Sequence, residues 1–339
     1  MPTLRHLLAL AWLAAFPAAA QPAPNSIHAL QGGEARLALP ATPGTTWQVE
    51  DEAGRVLHPW APAVPDGALR LPPGGWYRLL RRDAAGTAPA GGRFAVGLVV
   101  VLTGQSQAGA FFAADAPEVG AFPAGPDDPP PPPLAALLPD ESSGWSTAIA
   151  PLGARILLAE LSRRLGPGMP LGLVNAAWGN ASAAALADPA TPPGARLRRM
   201  AAMPASAALI LAHGTTDALA GTPPEAYAER LGAVVATLRA GSPGMPVLLA
   251  PLSPLLGRTT LLGSGRLAML LPRLAHRQPP DPGLERQAAA LRAAQAGLGL
   301  PSGGSMTMVA PGLDGIHWSA EGVRQAAREA AAALAGALR

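Results

Sequence analysis

Hydrophobic residues along this chain follow two rhythms. From about Pro22 to Arg93 they come in short alternating pieces bounded by Gly and Pro. These are Ala35–Arg36–Leu37–Ala38–Leu39, Thr46–Trp47–Gln48–Val49–Glu50, Ala68–Leu69–Arg70–Leu71 and Trp76–Tyr77–Arg78–Leu79–Leu80. A period of two with frequent turn signals predicts a small antiparallel β-sandwich over residues 22–95. Beyond Val96 the pattern changes. Leu98–Val99–Val100–Val101–Leu102–Thr103 is an unbroken apolar, mostly β-branched run, the signature of a strand buried in a parallel sheet.

Helical and strand periods then alternate. Residues 148–165 carry Leu152, Ile156, Leu157, Leu161 and Leu165 at helical spacing, and 171–177 read as a strand. A short Arg-bearing helix around 195–203 precedes a strand at 208–212. A helix at 224–238, with Pro224 in its first turn, precedes a strand at 246–250. Residues 284–298 are predicted helical and 306–309 a final strand, and Ser319 caps a closing helix to about Leu338. Such alternation predicts an α/β domain over 96–339, a parallel sheet covered by helices on both faces.

Two stretches stand outside this pattern. Arg5 and His6 precede an apolar run from Leu7 to Phe16, broken by Pro17 and followed by Ala18–Ala19–Ala20. Residues 1–20 therefore read as a cleavable secretory signal, with Gln21 as first mature residue and a secreted or periplasmic destination. The run is shorter than the ~20 residues needed to span a bilayer, so stable membrane insertion after cleavage is not expected. Residues 113–143 form a loop with five successive prolines, Pro129 to Pro133, a sequence that adopts polyproline II conformation. So long a loop just past the main strand is either an active-site rim or an inert insertion.

Composition narrows the partners. A net charge of +3 on 339 residues, without a long basic stripe, excludes nucleic acid as the expected ligand. With no Cys, the chain has neither disulfides nor a thiol nucleophile. His28, His58 and His276 stand apart from carboxylate clusters and are expected at the surface. No metal-ligand spacing is present, so neither metal nor other cofactor is expected. Trp47, Trp60 and Trp76 either fill the core of the β-rich domain or present stacking faces to sugar rings.

Polar residues that core packing does not explain cluster at predicted strand ends. They are Gly104–Gln105–Ser106–Gln107, Asn175–Ala176–Ala177–Trp178–Gly179–Asn180 and His213–Gly214–Thr215–Thr216–Asp217. A fourth block, Asp314–Gly315–Ile316–His317–Trp318–Ser319, precedes the last helix. A serine hydroxyl needs an imidazole to take its proton, and that imidazole needs a carboxylate to orient it. Asp314 and His317, three residues apart, can both face one site. A tetrahedral oxyanion needs preorganised donors, for which the N–H groups of Ser106 and Gly179 and a third-block side chain are candidates.

Taken in this order, the four blocks resemble the SGNH (GDSL-like) hydrolases, closest to the sialate O-acetylesterase type of carbohydrate acetylesterase. The likeness covers about Val96 to Arg339. It implies a flavodoxin-like three-layer α/β/α sandwich, no metal, and hydrolysis of an acetylated carbohydrate or another small ester. It further implies Ser106 as nucleophile, His317 as general base, Asp314 as its orienting acid and Gly179 as an oxyanion glycine. Two departures stand out. Gln107 replaces the usual Asn, and the third block lacks the usual amide donor, leaving His213 or Thr216 to complete the oxyanion hole. Gln107, Asn180 and Trp145 are expected to touch substrate, whereas Asp217 is expected to fix its loop. Two alternatives remain open at this stage: a non-catalytic carbohydrate-binding protein on the same fold, and a lipid or thioester hydrolase of the same superfamily.

Overall fold

The computed structural model describes residues 21–30, 32–63, 68–112, 122–140, 142–201, 208–240, 244–253, 282–298, 302–305 and 317–338. The signal-like segment and Asp314 lie outside them, as do His276 and residues 306–309.

The longest strand organises the rest. Strands β1 (Ser26–Ala29), β2 (Ala35–Ala38), β3 (Thr46–Asp51), β4 (Val56–Pro62), β5 (Ala68–Leu71), β6 (Gly74–Asp83) and β7 (Gly86–Pro89) precede β8 (Phe94–Gly104). The N-terminal part of β8 pairs in parallel with β1 and antiparallel with β6, which continues through β3 to β4. Its C-terminal part, from Leu98, pairs in parallel with β10 (Leu171–Asn175) on one side and β11 (Ala208–Ala212) on the other. One strand thus belongs both to the β-rich region and to the parallel sheet, and residue 96 lies within it. This is possible because Phe94 to Leu102 is almost wholly buried, with apolar side chains on both faces.

The β-rich region is sandwich-like. The antiparallel pair β2–β5 closes over the β3–β6–β8 face, burying Leu37, Leu71, Trp47, Val49, Leu79 and Phe94. Trp47 and Trp76 are core residues, whereas Trp60 lies half-buried under the Arg82 guanidinium, 4.0 Å from its ring centre. His28 is not a surface residue. It packs edge-on against Phe94 at 5.3 Å, and burial lowers its pKa to about 4.

In the parallel sheet, β12 (Val247–Ala250) follows β11, and β13 (Ser302–Ser305) pairs at its edge. The order β10-β8-β11-β12-β13 is the doubly wound 2-1-3-4-5 arrangement, with a topological switch beside β8. Helices cover both faces. The short α1 (Ser106–Gly109) follows β8. Then α2 (Leu152–Leu165), α3 (Ala183–Ala187), α4 (Pro192–Ala201), α5 (Thr215–Leu219), α6 (Pro224–Arg239), α7 (Pro282–Gly297) and α8 (Ala320–Ala337) follow in order. Strand alternation sends Val100 and Leu102 toward α2 and α8, and Val99 and Val101 toward the layer of α3, α4, α6 and α7. The result is a three-layer α/β/α sandwich with a β-rich N-terminal region.

The loop expected over 113–143 contains a strand. Ala135–Leu138 (β9) is fully buried and pairs in parallel with β10 at the sheet edge. Its four apolar residues are too few to show a period between flanking prolines, so only the partner strand reveals it. The proline-rich stretch before β9 is held by side chains. Arg324 of α8 makes a two-point ion pair with Asp128, at 3.1 and 3.2 Å. Arg155 of α2 donates to the carbonyls of Pro129 and Asp128, and Trp76 Nε1 donates to that of Pro133. A polyproline segment cannot use its own N–H groups, so it is fastened through its carbonyls and a carboxylate.

Replacing Arg324 with Met is expected to cost about 1–3 kcal/mol, the range for hydrogen bonds to charged groups, measured by urea unfolding at neutral pH. The Arg324 hydrogen bond holds the Asp128 carboxyl below its ordinary range. A depressed carboxyl stabilises the fold above its unfolded pKa, and that contribution is lost as pH falls. The difference between wild type and Arg324→Met should therefore shrink below about pH 4.

Candidate active site

β8 ends at Gly104, in a turn with φ of +128° where an added Cβ would overlap the carbonyl oxygen of Ala212. Only glycine fits, and the chain then passes the end of β11 closely enough for Gln105 N–H to donate to Ala212 O at 3.0 Å. Ser106 begins α1, so its own N–H has no intrahelical acceptor. His317 arrives from the far end of the chain. Its Nε2 lies 2.8 Å from Ser106 Oγ across 211 residues of sequence. Both side chains are partly exposed. For the serine to donate, His317 Nε2 must be unprotonated, which leaves the ring proton on Nδ1, the position a carboxylate would orient. Asp314 lies outside the described residues. Ser106 Oγ also faces Gln107 Oε1 at 3.3 Å, and Gln107 Nε2 donates to Thr215 Oγ1 at 3.1 Å. Gln107 is therefore a buried neighbour of Ser106.

The second block is tied to the first through the backbone. Trp178 N–H donates to Gly104 O at 3.0 Å, which sets Gly179 and Asn180 in an exposed turn with Asn180 at φ of +59°. The Ala181 N–H closes this turn on Trp178 O at 3.3 Å, and the Ala181 carbonyl receives Gln105 Nε2 at 2.7 Å and His213 Nε2 at 3.1 Å. Three strand-end loops thus meet at one carbonyl oxygen.

The third block departs from its sequence reading at His213. The Ala181 carbonyl can only accept, so His213 Nε2 carries the ring proton, and Nδ1 accepts from Tyr227 Oη at 3.3 Å. Both ring nitrogens are engaged and the side chain is fully buried. Burial lowers its pKa to about 4. His213 consequently has no N–H to offer an oxyanion. Tyr227 Oη in turn accepts from Gln295 Nε2 at 2.9 Å, which also donates to His213 O at 2.8 Å. Asp217 holds the Ala183 N–H at 2.9 Å and the Thr222 hydroxyl at 3.1 Å, as expected of a loop-fixing residue.

Trp145 is not at the site. Its ring packs over Gly172, which pairs with Val99, about five residues or roughly 16 Å down the sheet from Gly104. The exposed aromatic near the serine is Trp178, 37% accessible, with the Arg196 guanidinium 6.0 Å from its ring centre. A small recess is bordered by Gln107, His213, Thr215, Ser253 and Trp318, two of them chain neighbours of Ser106 and His317, which do not line it themselves. Trp318 Nε1 donates to Ser253 Oγ at 2.7 Å.

The sequence pattern singles out neither Gln105 nor Trp178 within their blocks, and Tyr227 and Gln295 stand outside all four. Gln295 had a visible signal: it continues the Leu284, Ala288, Leu291 stripe of α7 as a lone polar residue on an apolar face. Among the described residues no cluster of metal-ligating side chains occurs, and no helix is long and apolar enough to cross a membrane.

No family model and no curated protein matches the chain. Solved structures do. A carbohydrate acetylesterase from Xanthomonas citri superposes with a TM-score of 0.57 at 18% identity, covering 94% of this chain and 73% of that one. A protein from Arabidopsis thaliana superposes with a TM-score of 0.51 at 16% identity, covering 70% of this chain and 97% of the other. At these identities the likeness is one of fold. That shared fold is the three-layer α/β/α sandwich with a parallel central sheet.

Burial keeps His213 neutral in the folded chain while the unfolded chain protonates near 6.5, so acid favours unfolding. Lowering the pH from 7 to 5 should remove about 2 kcal/mol of stability through this residue. Urea titrations at the two pH values test this. Imidazole nitrogen NMR at pH 5 should show His213 neutral with its proton on Nε2.

Proposed function

We propose that this chain is an exported serine esterase of the SGNH type that removes acetyl groups from a carbohydrate. The observation carrying this reading is the 2.8 Å contact between Ser106 Oγ and His317 Nε2, at the sheet edge where open α/β sheets bind ligands. In the first half-reaction Ser106 Oγ attacks the acetyl carbonyl carbon while His317 Nε2 takes the hydroxyl proton. The oxyanion is met by the N–H groups of Ser106 and Gly179 and by the Thr216 hydroxyl. His317 returns the proton to the departing sugar oxygen, leaving an acetyl-enzyme. Water, deprotonated by the same imidazole, then releases acetate and restores the serine. Asp314 is the proposed partner of His317 Nδ1.

Carbohydrate as the alcohol is supported by the acetylesterase with the same fold and by exposed Trp178, which immediately precedes Gly179 in the chain and has a ring that can stack on a sugar face. Acetyl as the acyl group is supported by the acetylesterase that shares the fold. Export rests on the signal-like segment at residues 1–20.

Hydrolysis of p-nitrophenyl acetate should fall to the uncatalysed rate in Ser106→Ala, and wild type should prefer acetyl to octanoyl esters. Wild-type activity no higher than that of Ser106→Ala would overturn the esterase reading. A preference for octanoyl would overturn the acetyl assignment. Trp178→Ala should raise KM for an acetylated oligosaccharide about fivefold, the loss of about 1 kcal/mol of stacking, while leaving KM for the aryl ester in place.

A further inference from the structure

We infer that Gln105 is a positioning residue that makes the Thr216 hydroxyl a donor for the oxyanion. This deepens the esterase reading above and rests on it. The Gln105 side chain is 1% exposed, and its surroundings fix its orientation. Oε1 accepts the Gly214 N–H at 2.9 Å and faces the Thr216 N–H at 3.4 Å. Nε2 faces Ala181 O at 2.7 Å, and a carbonyl has no proton to give. The amide cannot be reversed, because that would set its oxygen against a carbonyl and its NH₂ against two N–H groups.

The polarity of the remaining contact follows. Nε2 also meets Thr216 Oγ1 in a close hydrogen bond, and there the amide must donate. The threonine oxygen spends a lone pair on this bond, so its own proton points elsewhere. Among the described residues no acceptor for that proton is recorded. Both His213 ring nitrogens are spent on protein partners, so Thr216 is the third-block candidate left with a proton to offer, on the loop that Gln105, the residue before Ser106, holds in place. The direction of that hydroxyl is set by an amide one residue from Ser106.

The test reverses that polarity. Gln105→Glu presents only acceptors when ionised, so it draws the Thr216 proton toward itself and away from the oxyanion. For p-nitrophenyl acetate, Thr216→Val should lower kcat about 10²-fold with KM little changed, and Thr216→Ser should recover most of that loss. Gln105→Glu should lower kcat to a similar degree while Thr216 is present. In the Thr216→Val background the same change should cost less than about threefold, because the group it acts through is gone. A purely structural role for Gln105 predicts losses that multiply. Multiplying losses, or a Thr216→Val loss under threefold, would overturn the inference. If Gln105→Glu does not fold, Gln105→Met enters the same cycle, since it leaves the hydroxyl undirected. Wild-type activity equal to that of Ser106→Ala would instead remove the esterase reading, and this inference with it.

Discussion

The active-site end of this molecule depends on one buried carboxamide. Gln105 is almost fully enclosed, and an enclosed amide that lost its partners would cost far more than it contributes when satisfied. Its hydrogen bonds reach the second block at Ala181 and the third at Gly214 and Thr216. Any displacement of one loop against another would leave polar atoms of Gln105 unpaired. The loops around Ser106 are therefore held in register by a desolvation penalty, in a region where backbone turns alone would be soft. His213 reinforces the same point. Its neutral ring completes the Ala181 carbonyl and connects it through Tyr227 to Gln295 on α7.

This arrangement needs a rigid base, which β8 supplies. Because the strand runs from the β-rich region into the parallel sheet, the loop carrying Ser106 is anchored in two cores at once. Trp76, Ile27 and Ala29 of the β-rich region share the apolar layer that covers Val99 and Val101. The proline-rich stretch contributes differently. It lies against α2 and α8 through Arg155 and Arg324, and α8 is the helix that His317 immediately precedes. Its attachment thus bears on His317 as well as on the edge strand it leads into.

The third block shows how burial separates two candidates that the sequence leaves equal. Spacing in the sequence does not distinguish His213 from Thr216 as a hydrogen-bond donor toward Ser106. Burial removes His213. His213 points into the layer beneath the sheet edge and spends both nitrogens on protein partners, whereas Thr216 is half-exposed beside Gln105. A similar correction applies to the tryptophans. Trp145 fills the space that Gly172 leaves on β10, and Trp178, a member of the second block with no role legible in the sequence, is the exposed one.

What the sequence by itself determined is whatever depends on local periodicity. The apolar run of β8, the strand at Ala208–Ala212, helix α6 and the Ser319 cap are all legible, because each follows from a repeat or a cap within a few residues. The four polar blocks are legible for the same reason, as polar residues placed where an apolar run stops. Tertiary structure alone decided what those residues do to one another. The pairing of Ser106 with His317, the tautomer of His213 and the direction of the Thr216 proton depend on partners tens to hundreds of residues away. It also decided that Ala135–Leu138 is a strand, since four apolar residues become one only when β10 offers its edge. Periodicity records how a segment meets solvent and core; hydrogen-bond polarity records which particular atoms meet, and that requires the folded chain.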